Sequence, residues 1–541
     1  MSVARILCRA QVGLAAPRVD VEVHLGAGLP CFNIVGLPAT EVKESKERVR
    51  AALVNSGFEF PAGRITVNLA PADLPKDGGR FDLAIAIGIL VAGGQLAPWH
   101  DLAALELLGE LGLAGNLRSV QGALPAAATA SAQGHRIVLP AANASDLRWY
   151  PGLAAVSATD LLGVCAWLEG RDVLPSDTHS APTVIAPEVT ANPSVGRLQG
   201  LRLGDVCGQA LGKRALEVAA AGGHSLLLVG PPGCGKSMLA ERLPSLLPPL
   251  SDTEALEVAM ISSLAINAAP RLLDRPFRSP HHTASANAII GGGPNAGPGE
   301  VTLAHRGVLF LDELPEFDRL VLEALREPLE TGRVAVSRVG AQTEYPAGFQ
   351  LIAAMNPCPC GYLGSRELSC RCGGAARERY RSRLSGPLLD RLDLRVELDS
   401  VSNADLAEHR RARQQGVPTG DGSAPENARD AAASAEQSVR QRIASARRRQ
   451  MQRQDCLNAA LSGPALATHA RLTPAANAAL LGARSQRGTS LRAQDRLIRV
   501  AQTIADLRVA AKAGIEDAVI ADAVIEEQDV IDALAMRRAL S

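Results

Sequence analysis

Aromatic residues are scarce: Phe, Trp and Tyr make up only 3% of the 541 residues, against 47% apolar residues overall. Hydrophobic cores in this chain must therefore be built from Leu, Val, Ile and Ala. Net charge is absent as well, because 56 Lys and Arg balance 56 Asp and Glu. A neutral chain has no global field to draw a polyanion, so nucleic-acid contacts would have to come from local basic patches. No apolar run reaches membrane-spanning length; the longest, Leu83 to Val91, is too short and reads as buried core. The first residues, MSVARILCRAQVGLA, lack the long apolar stretch and cleavage site of a secretory signal. These absences argue against a membrane partner and point to the cytoplasm. No internal repeats occur.

What is present divides the chain by composition, and the length suits two to four domains. Residues 1–170 carry short alternating runs such as RITVNL and HRIVLP, which read as strands among helices. Residues 171–200 are rich in Pro, Ser and Thr and read as a linker. A second block covers 201–400. Residues 401–470 form a polar and basic connector, whose first part, through GVPTGDGSAPENARDAAASA, reads as a mobile loop. Residues 471–541 have helical spacing.

The strongest motif is GPPGCGKS: Gly230, Pro231, Pro232, Gly233, Cys234, Gly235, Lys236 and Ser237. It follows an apolar run, His224 to Val229, and opens onto a helical stretch, Met238 to Leu243. Glycines at this spacing let backbone N–H groups turn inward onto anionic oxygens. Lys236 would reach the β- and γ-phosphates of ATP, Ser237 would ligate Mg²⁺, and the helix start adds its positive dipole end. A purely structural Gly-rich turn is the bland alternative, and the flanking strand and helix count against it.

Downstream, GVLFLDELPEF predicts a buried strand over Val308 to Leu311 that ends in Asp312-Glu313. Asp312 would hold Mg²⁺ through water, and Glu313 would orient the attacking water. A helix N-terminal acidic pair is the alternative. A second apolar strand in FQLIAAMNP ends at Asn356, SGPLLDRLDLRVEL supplies Arg391, and GTSLRAQDRLIRVAQTIADL places Arg492 at a helix start.

The order of DVCGQ, phosphate loop, acidic pair, Asn, Arg and Arg resembles the sequence of parts in AAA+ ATPases. The resemblance implies that Asn356 senses the γ-phosphate. It implies that Arg391 is an arginine finger completing a neighbouring subunit's site, and that Arg492 is the second sensor arginine of a helical lid. The alternatives are a strand-to-turn Asn, an ion pair of Arg391 with Asp390 or Asp393, and an ordinary surface arginine. A finger used in trans implies a homo-oligomer, with a hexameric ring as the family expectation.

Between the phosphate loop and Asp312 lies RPFRSPHHTASANAIIGGGPNAGPGEVTLAHRG. Pro, Gly and His dominate it, so it is not one regular element, and it resembles the insertion of magnesium-chelatase-type AAA+ proteins. Adjacent residues rarely face one metal, so His281-His282 is expected to contact substrate or nucleotide from a loop. VAVSRVGAQTEYPA alternates about Gly340 and predicts a β-hairpin before the strand that ends at Asn356. Such a pre-sensor hairpin marks the AAA+ branch of magnesium chelatase and replicative helicases, where it projects into the ring pore. Arg338, near the tip, would then touch DNA phosphate; a solvated hairpin arginine is the alternative.

With NPCPCG, SPHHTAS and GVLFLDELPEF, the chain resembles the YifB/ComM family of magnesium-chelatase-like ATPases. The resemblance runs end to end except for the polar 411–435 stretch. ComM-type members are hexameric branch-migration helicases that assist integration of transforming DNA. What this implies is an ATP- and Mg²⁺-dependent ring motor on single-stranded and branched DNA. A chelatase-like motor subunit that drives metal insertion with a partner protein is the rival. A protein remodeller is a further rival, although SRVGAQ at the hairpin tip lacks the aromatic paddle of protein unfoldases.

RITVNLAPADLPKDGGRFDLAIAIGIL resembles a Lon-protease-type domain of S5-like α/β fold. Arg80 stands where proteolytic relatives carry the serine, and Leu124 stands where they carry the lysine. Without nucleophile and base there is no acyl transfer, which makes this a binding or assembly domain. Lys76 and Arg80 are then expected to contact nucleic acid. The expected architecture is α/β throughout: an S5-type domain, an AAA+ core with a pre-sensor hairpin, and a helical lid. KAGIEDAVIADAVIEEQDV within that lid is longer than the family's usual turn.

Six cysteines, Cys8, Cys31, Cys165, Cys207, Cys234 and Cys456, are scattered and read as mostly buried thiols. Cys358, Cys360, Cys370 and Cys372 form two C-x-C pairs with nine residues between them. Four thiolates suit a structural Zn²⁺, although C-x₂-C is the commoner knuckle; reduced thiols and a redox switch stay open. Arg377, Arg379, Arg381 and Arg383 either line DNA or are solvated. SVRQRIASARRRQMQRQ has six arginines between Arg440 and Arg453, which predicts a phosphate-binding or a solvated helix.

Overall fold

The computed structural model describes residues 2–36, 40–147, 152–174, 201–265, 274–293, 296–338, 341–365, 368–415, 426–487, 490–512 and 523–538. Most of the expected linker, 175–200, and most of KAGIEDAVIADAVIEEQDV lie outside the described residues.

A seven-stranded sheet organises the N-terminal block. Its strands run in the order Cys31–Val35, Arg64–Ala70, Arg18–Gly26, Ser2–Arg9, Leu105–Leu107, Arg136–Pro140, Ala155–Ala158. Arg18–Gly26 is antiparallel to both its neighbours, while the last four strands are mutually parallel. Alternation makes these strands. Val19, Val21 and Val23 are buried on one face, and so are Ile65, Val67 and Leu69 of the strand paired to them. The apolar run at Leu83 becomes the helix Asp82–Ala92, buried almost all round, as a helix without a polar face must be. Gly88 lets it approach the sheet, since a Cβ there would lie 2.5 Å from Val23 Cγ2.

Neither Lys76 nor Arg80 is available to nucleic acid, contrary to expectation. Lys76 is buried and donates to the carbonyls of Pro71 and Leu74, and Arg80 is buried and donates to Gln121 O at 2.9 Å. Lys76 caps carbonyls of the turn before the buried helix, and Arg80 caps one just before the helix Ala123–Ala132. Leu124 is buried in the helix Ala123–Ala132.

The second sheet is wholly parallel, in the order Phe277–Arg278, Val308–Leu311, Gln350–Met355, Leu226–Val229, Leu394–Glu397. LLLV, VLFL and QLIAAM are buried at every position, the mark of a sheet covered on both faces. The Pro-, Gly- and His-rich stretch breaks into short pieces, including the helices Ala286–Ile290 and Glu300–Leu303. The expected hairpin is present as Arg333–Arg338 paired with Ala341–Pro346, Arg338 opposite Ala341. The Arg338 side chain and the two tip residues lie outside the described residues. Val334, Val336 and Tyr345 bury the base of the hairpin. The N-terminal block touches that base: Gly13 has φ +59, and a Cβ on it would sit 2.4 Å from Thr343 Cγ2.

The C-terminal region is helical, with Glu426–Gln454, Pro474–Arg487, Leu491–Lys512 and Glu527–Ala535 as main elements. Much of the stretch read as a mobile loop is helix, over Asn403–Gln415 and from Glu426 on; only 416–425 lies outside the described residues. Polarity misled here, because Ala, Glu, Arg and Gln are strong helix formers whatever their polarity.

The arginine-rich segment is a solvated face only in part: Arg440 and Arg448 are exposed, whereas Arg442, Arg447 and Arg453 are engaged within the chain. Arg447 Nε donates to Ala220 O at 2.7 Å, Arg442 pairs with Glu217 at 3.0 Å, and Arg453 pairs with Asp506 at 2.8 Å. Burial pushes Arg447 down to about 10. These side chains rivet the long helix onto Ala210–Gly222 and the lid. Ile443, Ala446, Val500 and Ile504 join Leu226 and Val396 in one core. Among the described residues no helix is long and apolar enough to cross a membrane.

Candidate nucleotide-binding site

The strand Leu226–Val229 runs straight into the phosphate loop. Gly233 and Gly235 take φ of +79° and +95°, conformations that glycine adopts without steric cost. Gly230 is pressed against Leu398 O, 2.8 Å from where its Cβ would be. A residue outside the loop pins it: Gln209 Nε2 donates to Cys234 O at 3.0 Å and to Asp399 O at 2.7 Å. The DVCGQ motif thus contributes its last residue as a clasp, a role its spacing did not disclose.

Lys236 is folded back on the loop. Its Nζ donates to Gly230 O at 2.8 Å, Pro231 O at 2.9 Å and Asn356 Oδ1 at 3.1 Å, which satisfies all three ammonium donors. Burial pushes its pKa below the ordinary lysine value, against the pull of Cys234, Asp312 and Glu313. Asn356 reaches Lys236 because Met355 lies opposite Val229 on neighbouring strands.

Ser237 Oγ donates to Asp312 Oδ2 at 2.7 Å. A hydroxyl and a carboxylate brought together in this way are hard oxygen ligands, and they fit Mg²⁺. The other Asp312 oxygen accepts the Glu313 backbone N–H at 2.9 Å. Glu313 itself has φ +52, unusual for a residue with a side chain, and this turns its carboxylate out of the strand into the open site. His282 Nδ1 lies 3.4 Å from Glu313 Oε2, and the His281 and His282 rings stand 4.1 Å apart. His282 therefore faces the acidic residue, while His281 Nδ1 pairs with Thr283 Oγ1 at 2.9 Å.

The two arginines stand apart from this group. Arg391 pairs with Glu330 at 2.6 Å and donates to Pro387 O, so its partner is neither Asp390 nor Asp393. Arg492 is exposed in the first turn of Leu491–Lys512. The hydrogen bond from Arg391 holds the Glu330 carboxyl below its ordinary value, and Arg492 adds to the positive charge nearby. Glu330 is a partner of Arg391 that sequence reasoning missed, since nothing local marks it. Arg383, from the basic run, pairs with Glu316 at 2.7 Å.

The cysteine cluster abuts the loop. Cys358, Cys360, Cys370 and Cys372 have sulfur atoms all within 4.8 Å of one another. Gly361, φ +85, packs so closely that its Cβ would lie 2.6 Å from Pro232 Cδ.

A parallel sheet with a phosphate loop on one strand, an Asp-Glu pair on another and an Asn on the strand between them defines a AAA+-type P-loop protein. Three family models match: "Subunit ChlI of Mg-chelatase" over residues 21–143, "Magnesium chelatase, subunit ChlI" over 202–406, and "Magnesium chelatase, subunit ChlI C-terminal" over 433–537. The chain is 46% identical to the protein YifB of Escherichia coli, with 94% of each chain covered. It is 44% identical to competence protein ComM of Haemophilus influenzae, again over 94% of each. A Mycobacterium tuberculosis protein is 40% identical over 96% of this chain and 97% of its own. The chain belongs to the YifB/ComM family of magnesium-chelatase-like AAA+ proteins.

Proposed function

We propose that this chain is an ATP-hydrolysing ring motor that acts on branched DNA, serving branch migration in homologous recombination and in the integration of transforming DNA. One observation carries the reading. The return strand of the hairpin, Ala341–Pro346, leads within a few residues into Gln350–Met355, and the next residue, Asn356, is bonded to Lys236. An event at the γ-phosphate would thus reach the hairpin along one short stretch of chain. The name of the Haemophilus relative, a competence protein, agrees with DNA as the partner.

In this reading the cofactors are ATP and Mg²⁺, with a structural Zn²⁺ at the cysteine cluster. Lys236 and the loop amides bind the phosphates, and Ser237 and Asp312 hold the metal ion. Bound Mg²⁺ neutralises charge on the phosphates. Glu313 orients the attacking water and Asn356 senses the γ-phosphate. Arg391 leaves Glu330 to complete the site of the next subunit in a homo-hexamer, and Arg492 closes the lid. Arg338 meets the DNA backbone from the hairpin.

A chelatase-like motor subunit working with a partner protein is the second reading, favoured by the descriptions of the matching family models. The two part on strand displacement from a three-strand branched DNA with ATP. Displacement by the intact chain and none by Lys236→Ala supports the DNA motor. Intact ATPase activity that ignores every DNA, with no displacement, shifts the reading to the chelatase-like motor.

A further inference from the structure

We propose that Cys358, Cys360, Cys370 and Cys372 hold one Zn²⁺, and that this centre clamps the phosphate loop through Gly361, so that the metal sets affinity for nucleotide. The coupling rests on the nucleotide reading above; the metal site does not.

The sulfur geometry carries the first half. Cys358 Sγ lies 3.4 Å from Cys360 Sγ and 3.6 Å from Cys370 Sγ, and Cys360 Sγ lies 3.7 Å from Cys370 Sγ. A tetrahedron built on Zn–S bonds of about 2.3 Å has S···S edges of roughly 3.8 Å. Three of the thiols are thus already at the spacing of a zinc ligand set, and Cys372 Sγ lies within 4.8 Å of each of them. Packing alone does not account for the arrangement. Cys358 is buried, but Cys360, Cys370 and Cys372 are partly exposed, and Leu368 in the intervening segment is exposed. That leaves little apolar burial to hold the segment closed. Each thiol would yield its proton to bulk water as its bond to zinc forms.

The second half follows from what the cluster holds in place. Cys358 comes two residues after Asn356, and the Gly361 N–H donates to Cys358 O at 2.9 Å. Gly361 then rests on Pro232, in the phosphate loop, with its missing Cβ 2.6 Å from Pro232 Cδ and 3.8 Å from Asn356 Cγ. The metal-closed turn therefore braces both the loop and the residue that contacts Lys236. A centre that lost its metal would release this brace, and the loop would have to be ordered by the nucleotide itself.

The experiment uses the full chain purified without chelator. Elemental analysis is expected to give about one zinc per chain. Gly361→Ala keeps every thiol but pushes on Pro232; it is expected to retain its zinc and bind a fluorescent ATP analogue roughly tenfold more weakly. Gly364→Ala lies in the next turn, closed by Ser365 N–H to Tyr362 O at 3.1 Å, and carries the same left-handed strain (φ +79, against +85 at Gly361) with nothing near its Cβ; it controls for that strain and is expected to keep both properties. Folded chain without metal would overturn the zinc centre. Zinc-loaded Gly361→Ala that binds the analogue as tightly as the intact chain would overturn the clamp. An intact chain with zinc but no affinity for the analogue would overturn the nucleotide reading and the clamp, and leave the metal site standing.

Discussion

Lys236 Nζ and Asn356 Oδ1 are hydrogen-bonded at 3.1 Å, across two neighbouring parallel strands. The bond gives the ammonium its one side-chain acceptor; the others are carbonyls of its own loop. The phosphates must compete with all three when nucleotide enters. Lys236→Ala is expected to abolish nucleotide binding. Asn356→Ala removes one competitor together with the group proposed to sense the γ-phosphate, so it should keep ATP affinity while turnover falls by roughly 10²-fold or more. Paired measurements of binding and steady-state hydrolysis separate the two. Loss of binding in Asn356→Ala would contradict its placement.

Stability of the N-terminal block should depend on a buried ion pair far from the site. Arg9 and Glu106 are both fully buried, with Nε to Oε2 at 2.5 Å, and His135 Nδ1 lies 2.8 Å from the other carboxylate oxygen. Glu106→Ala strands a buried guanidinium and is expected to cost about 3–5 kcal/mol. Replacing both residues by Leu should recover most of the loss. Denaturant unfolding followed by circular dichroism would check both, and a Glu106→Ala midpoint equal to that of the intact chain would refute the assignment.

The phosphate loop, Asp312-Glu313 and Asn356 were legible because their chemistry is written in local spacing and each follows a run of buried apolar residues. The hairpin was legible for the same reason, through its alternation. The roles of Arg442, Arg447 and Arg453 were not. Whether an arginine is solvated or riveted depends on what lies across from it. Here that is the carbonyl of Ala220 and the carboxylates of Glu217 and Asp506, all distant in sequence. Lys76 and Arg80 failed for a related reason, since a turn that leaves carbonyls unpaired will draw in any nearby cation. Gln209 and Glu330 carry no pattern of their own and acquire a role only once the chain has folded.

The base of the hairpin should respond to pH through His305. Its Nδ1 accepts the Gly348 N–H at 2.9 Å, which requires that nitrogen unprotonated, and its Nε2 lies 3.3 Å from Glu257. Burial pushes its pKa below 6.5, outweighing the pull of Glu257. The folded chain therefore takes up this proton less readily than the unfolded chain. Its stabilising effect is complete above about pH 6.5, the ordinary histidine value, and is lost as pH falls toward the depressed folded value. The intact chain should lose stability between about pH 7.5 and 5.5, either side of the ordinary histidine value of about 6.5, and His305→Gln should lose less over the same range. Equal slopes in the two proteins would show that another group titrates.

Glu313 offers the sharpest separation of binding from chemistry. Its backbone sits at φ +52 and its carboxylate lies beside His282 rather than on Ser237 or Lys236. Glu313→Gln keeps the size and the backbone turn but removes the charge that, in the proposed function, orients water. It should bind ATP as the intact chain does, hydrolyse it roughly 10²- to 10⁴-fold more slowly, and accumulate as an ATP-bound assembly visible by light scattering. His282→Ala leaves the carboxylate in place without its neighbour, so its turnover should fall by less than that of Glu313→Gln. A Glu313→Gln chain that hydrolyses at the normal rate would take the water-orienting role away from this residue, and Asp312 would be left holding the metal with no base beside it.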